Sequence, residues 1–117
     1  MLTQEEYLAR FRREFEIMRE LDHPRVVRVH EYREEPEQRL ALISMEYVAG
    51  GTVWDLANGQ QEQPVPLPLA LRIAVQTIEA LVAAHRRGVL HRDVTPRNIL
   101  LAGGPAAKLL VNAERDP

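Results

Sequence analysis

With 117 residues the chain is long enough for one small core and no more. Its 45% hydrophobic and 27% charged content belongs to a folded sequence and excludes a disordered one. Fifteen basic against seventeen acidic residues leave a net charge of −2, which excludes the basic footprint of a nucleic-acid binder, and the lack of cysteine excludes disulfides, thiolate catalysis and cysteine-ligated zinc.

In chain order, Thr3 followed by Glu6 has the form of a capping box. Leu8, Phe11, Phe15 and Met18 then recur at helical spacing, which predicts a helix from Gln4 to Leu21 closed by Asp22-His23-Pro24. Val26 to Tyr32 and Leu40 to Tyr47 are rich in β-formers and flank the turn-like Glu34-Glu35-Pro36-Glu37, which predicts an antiparallel pair ended by Gly50-Gly51. A short helix is expected over Thr52 to Ala57. A surface loop is expected over Asn58 to Pro68, because Pro64, Pro66 and Pro68 alternate there.

The next helix is expected from Leu69 to Arg87, with Leu71, Val75, Ile78, Leu81 and Val82 as its core stripe. Arg86 and Arg87 complement its dipole, and Gly88 suits the left-handed position after it. Val89-Leu90 and the polar loop His91 to Asn98 follow. Ile99 to Leu101 and Lys108 to Val111 bracket Gly103-Gly104-Pro105 as a final hairpin, so the fold class is α+β. No apolar run is judged long enough to span a bilayer, and the N-terminus lacks the form of a signal peptide; the expected setting is cytoplasmic, with no membrane segment in these residues.

The loop carries the strongest chemical signal. His91-Arg92-Asp93, four residues, then Asn98 and the apolar Ile99-Leu100-Leu101 follow the pattern H-R-D-x-x-x-x-N. Finding such types at these spacings by chance is on the order of one in 10⁵ for a chain this short, which decides against an ordinary turn after a helix. Phosphoryl transfer needs a carboxylate to orient the attacking hydroxyl and an oxygen ligand for Mg²⁺ beside it, and Asp93 and Asn98 suit these two roles.

The chain thereby resembles the bacterial-type (Hanks-type) serine/threonine protein kinases, over nearly its whole length. Phe11-Arg12-Arg13-Glu14 with Leu21-Asp22-His23-Pro24 resembles the αC helix and its exit, and Met45 to Gly51 resembles the fifth strand and hinge. The resemblance implies a partial kinase fold with residues 1–47 as a remnant of the small lobe and 48–117 as the start of the large one. It implies Asp93, Asn98, Arg92 and Glu14 as catalytic residues, Glu14 pairing with a strand lysine and Asn98 holding Mg²⁺. It implies ATP as cofactor, with Met45 as gatekeeper, the backbone of Glu46 and Val48 on the adenine edge, and Val53 and Leu100 packed beneath the ring. Met18, Val29 and His91 match residues stacked between the lobes.

The departures are equally specific. A glycine-rich loop and the strand lysine, expected before Met1, are missing from these residues, and Val111-Asn112-Ala113 stands where Asp-Phe-Gly is expected. Valine cannot ligate a hard cation, and Thr95 replaces a phosphate-directed lysine. The chain alone is therefore expected to be inactive, a broken kinase gene product or a non-catalytic binding module. A small-molecule phosphotransferase is a further alternative, which Arg92 disfavours, and the protein substrate or partner is not specified.

Overall fold

Each strand, helix and cap in this chain is described by a computed structural model that covers residues 2–59, 64–91, 94–102, 106–110 and, for backbone only, 113–115. Helix α1, Gln4–Arg19, starts where the capping box places it: Glu6 N–H donates to Thr3 Oγ1 (3.2 Å), and Thr3 N–H donates to the Glu6 carboxylate (3.1 Å). It stops short of Leu21, at the C-cap Glu20. Phe15 and Met18 are buried as expected, Ile17 joins them, and the rings of Phe11 and Phe15 lie 5.9 and 5.8 Å from that of Tyr32.

The expected strand pair forms with shifted ends. Strand β1, Val29–Glu35, pairs antiparallel with β2, Leu40–Met45. Residues Glu34 and Glu35 thus belong to the strand, and the chain reverses over a 3₁₀ turn, Pro36–Gln38, completed by Arg39 in the left-handed region at φ 54°. Val26 and Val27, expected at the start of β1, attach elsewhere. Val27 N–H donates to Leu109 O (2.9 Å), and Leu109 N–H donates to Arg25 O (2.7 Å). These bonds join the segment after α1 to the last third of the chain.

Helix α2, Val53–Asn58, is capped by Thr52 and Asp55 in a second reciprocal box. Helix α3, Leu67–Arg86, begins earlier than expected and takes Pro68 into its first turn, where proline lacks no needed N–H. Its end is as read, with Gly88 at φ 72°. The expected core stripe of α3 is corrected by the structure. Leu71, Val75, Ile78 and Val82 are exposed, Leu81 is half-buried, and the buried flank is Ile73, Thr77, Ala80 and Ala84. The two alanines, with no exposed area, allow α3 to approach strands β3, Val89–His91, and β5, Ala107–Leu109. Ala107 N–H donates to the Gln76 side chain (2.6 Å) across that contact. By length and composition α3 is also apolar enough to cross a membrane, contrary to the sequence expectation, although one flank packs inside the protein.

Strand β4, Ile99–Leu101, pairs antiparallel with β5 as the expected hairpin, while Gly103-Gly104-Pro105 lies outside the described residues. Strand β6, Ala113–Arg115, pairs with β3. Among the described residues three sheets of two strands each form, and an apolar cluster links them: Phe15, Met18, Val29, Ala84, Val89 and Leu109 all belong to it. This is an α+β arrangement of helices and small antiparallel sheets.

Candidate functional site

The segment that leaves β2 is held on one side and open on the other. Glu46 N–H donates to Arg28 O (2.8 Å), and the Glu46 carboxylate accepts from Arg28 N–H (2.9 Å) and from Lys108 Nζ (2.8 Å). Burial pushes the Glu46 carboxyl up, but the Lys108 ammonium and the Arg28 N–H outweigh it and hold the group below the usual carboxylate range. No backbone bond to another described residue engages the Glu46 carbonyl. The Val48 N–H and C=O bond to no other described backbone group. Met45, just before them, is 39% exposed.

Beyond this segment, Gly50 N–H donates to Leu101 O and Leu101 N–H donates to Gly51 O, both at 2.8 Å. A side chain at Gly50 would begin 2.2 Å from the Leu101 carbonyl oxygen, so only glycine permits the contact. Thr52 bridges to Leu100, which brings the half-buried Val53 and Leu100 to neighbouring positions beside the segment that leaves β2. The residues expected to contact adenine thus share one region.

The loop that follows β3 is fastened to the same region through Leu110. Its N–H donates to Asn98 O (2.8 Å), and its carbonyl lies 2.9 Å from the His91 ring nitrogen Nε2. Both backbone groups of the residue preceding Val111 are therefore fixed by the two ends of the His91–Asn98 loop. Asn98 closes a 3₁₀ turn, Pro96–Asn98, whose N–H donates to Thr95 O (3.0 Å). Arg92 and Asp93 lie outside the described residues, as do Val111 and Asn112. Glu14 is half-buried on α1, which packs against β6. Met18 and Val29 share the central apolar cluster, and the His91 ring meets the carbonyl of Leu110, next to the buried Leu109 of that cluster.

Two contacts here had no spacing signal in the sequence. Lys108 and Glu46 are 62 positions apart and meet only through the fold. Arg97, in the turn before Asn98, lays its guanidinium over the Trp54 ring of α2, with Cζ 4.4 Å from the ring centroid. A basic residue in a loop and an aromatic on a short helix were each visible, but not their pairing. The groove of about 400 Å³ lined by His23, Val75, Ile78, Val82 and Arg86 belongs to the outward face of α3, away from these residues.

The fit to the expected ligands is uneven. The Glu46 carbonyl and the Val48 backbone, engaged by no other described backbone group, and the apolar side chains beside them suit an adenine ring. Magnesium is not matched: among the described residues no cluster of three His, Asp or Glu forms, Asn98 offers only a neutral amide oxygen, and Val111 offers no ligand.

The chain is 41% identical over 93 residues to the serine/threonine-protein kinase cds1 of Schizosaccharomyces pombe, covering 78% of this chain and 19% of that protein. It is 39% identical over 98 residues to the serine/threonine-protein kinase PrkC of Bacillus subtilis, 82% of this chain and 14% of the relative. It is 35% identical over 106 residues to the serine/threonine-protein kinase PknB of Mycobacterium leprae, 89% of this chain and 17% of the relative. The chain thus spans less than a fifth of the length of these relatives. Residues 2–110 match the protein kinase domain, and with bacterial serine/threonine kinases among its relatives, the chain belongs to that family.

Proposed function

We propose that these residues supply the hinge and catalytic loop of a serine/threonine protein kinase, whose reaction is transfer of the ATP γ-phosphoryl group to a protein hydroxyl. The observation that carries the reading is the fastening of Leu110 by both ends of the His91–Asn98 loop, which gives the loop and the strand before Val111 one rigid frame. In this reading residues 1–47 belong to the small lobe and hinge strand and residues 48–117 open the large lobe. The carbonyl of Glu46 and the backbone of Val48 receive the adenine edge, Met45 closes the pocket behind it, and Val53 and Leu100 cover its face. Asp93 orients the attacking hydroxyl and takes its proton, Arg92 accompanies it in the motif, and Asn98 offers its amide oxygen. Glu14 is the helix carboxylate that pairs with a strand lysine in this reading.

Because Val111 replaces the carboxylate expected of a metal site, the 117 residues by themselves are proposed not to turn over. The same valine favours a second reading, a non-catalytic module that retains the hinge. The test begins with the chain as it is. Adenosine added to ¹⁵N-labelled protein should shift the Val48 amide, and Val48→Pro should abolish the response; no shift at the hinge would remove the nucleotide reading. Catalysis is tested in a longer polypeptide that adds a glycine-rich loop, a strand lysine and a metal carboxylate. There Asp93→Ala should lose about 10²- to 10⁴-fold in turnover, and full activity in that variant would overturn the assignment.

A further inference from the structure

We infer that Arg97, stacked on Trp54, is a docking point for an acidic side chain of the polypeptide acted on, so that aspartate or glutamate near the acceptor hydroxyl favours binding. The inference rests on the reading of residues 91–98 as the catalytic loop and adds a substrate class to it.

Three features support it. The first is orientation without neutralisation. Trp54 is 42% exposed and its ring lies under an exposed guanidinium, a stack that restrains a long side chain without using its N–H donors. Such a fork suits a carboxylate in two-point contact. The second is the lack of a competing acid. Arg12, Arg25, Arg28 and Arg33 each pair with a carboxylate, whereas Arg97 has no such partner among the described residues. The carboxylate of Asp55, next to Trp54, is committed to its own helix cap, accepting Thr52 N–H (2.9 Å) and Thr52 Oγ1 (3.0 Å).

The third is position. Arg97 directly precedes Asn98, whose carbonyl is fixed by Leu110 N–H, and only three residues separate it from Asp93. The cation therefore rides on the turn that carries the proposed chemistry. A stack that merely tied α2 to the turn would stabilise both without selecting any ligand, and the two roles are separable by charge.

Trp54 is the only tryptophan, so its fluorescence reports directly on the stack. The full chain is titrated with two synthetic serine peptides of equal length, one with aspartates flanking the serine and one with asparagines. The acidic peptide should half-saturate the signal at about fivefold lower concentration in low salt, the scale of an exposed ion pair, and the difference should shrink as salt screens it. Arg97→Gln should erase the difference, Arg97→Lys should keep part of it, and Arg86→Gln on α3 should leave it intact. Equal response of the wild type to both peptides overturns the inference, as does an acidic preference that survives in Arg97→Gln. Circular dichroism of each variant separates loss of charge from loss of fold, with Arg97→Lys retaining the test if Arg97→Gln is unstable. The adenosine titration at Val48 is read in the same samples. Adenosine binding without acidic preference defeats this inference and leaves the kinase reading standing, whereas acidic preference without adenosine binding removes the nucleotide reading and with it the role of Arg97 in docking a substrate, leaving only an acid-binding surface.

Discussion

Helix α1 buries the apolar face that its spacing marks, with Phe15 and Met18 in the core, whereas α3 turns Leu71, Val75, Ile78 and Val82 outward and buries Ile73, Thr77, Ala80 and Ala84. Both sets on α3 follow the same four-three-four spacing, offset by two positions, which is about 200° around a helix. Periodicity alone therefore cannot choose between them. Side-chain size would choose wrongly, because the larger residues are outside. The deciding factor is the surface each helix meets. Helix α1 lies against β1, where Tyr32 leaves room for aromatic packing. Helix α3 lies against the backbones of β3 and β5, where alanine is what fits.

The comparison breaks first at Phe15. Phe15→Ala should cost about 3–5 kcal/mol, as removal of a buried ring usually does, and a denaturation midpoint close to that of the wild type would show that α1 is not part of the core. Next in size is Ala80→Leu, which should destabilise by about 1–3 kcal/mol despite leucine's good helix propensity, because the larger side chain must be fitted at a fully buried position. A gain in stability would mean that the inner flank of α3 is loosely packed and that the two helices do not differ as described.

The ion pair between Glu46 and Lys108 sharpens the comparison, since it ties the end of β2 to the strand beneath α3. Glu46→Gln should cost about 1 kcal/mol at pH 7. The Glu46 pKa is lower in the folded state than its ordinary value of 4.5, so its stabilising effect is present above that value and is lost as pH falls through the folded one. The melting temperatures of wild type and Glu46→Gln should thus differ by a constant amount near neutrality and converge below about pH 4.5. A gap that persists into acid would assign the loss to shape rather than charge.

The smallest effect is expected on the outward face of α3. Ile78→Gln should change stability by no more than about 0.5 kcal/mol while reducing the binding of a hydrophobic dye, because the side chain is already in water. A large loss would return this residue to the core and restore the sequence expectation.

What the sequence determined is local. The Thr3–Glu6 and Thr52–Asp55 pairs set two helix starts, Gly88 set a helix end, and β-formers on either side of a proline turn set the β1–β2 pair, because each depends on bonds between near neighbours. The order His91, Arg92, Asp93, Asn98 was legible for the same reason, since one short loop carries the whole motif. Tertiary structure alone decided which flank of α3 is inside, that Val27 joins Leu109, that Glu46 meets Lys108, and that Arg97 stacks on Trp54. These contacts join residues distant along the chain, and their energies depend on how closely surfaces approach, a quantity no spacing rule contains.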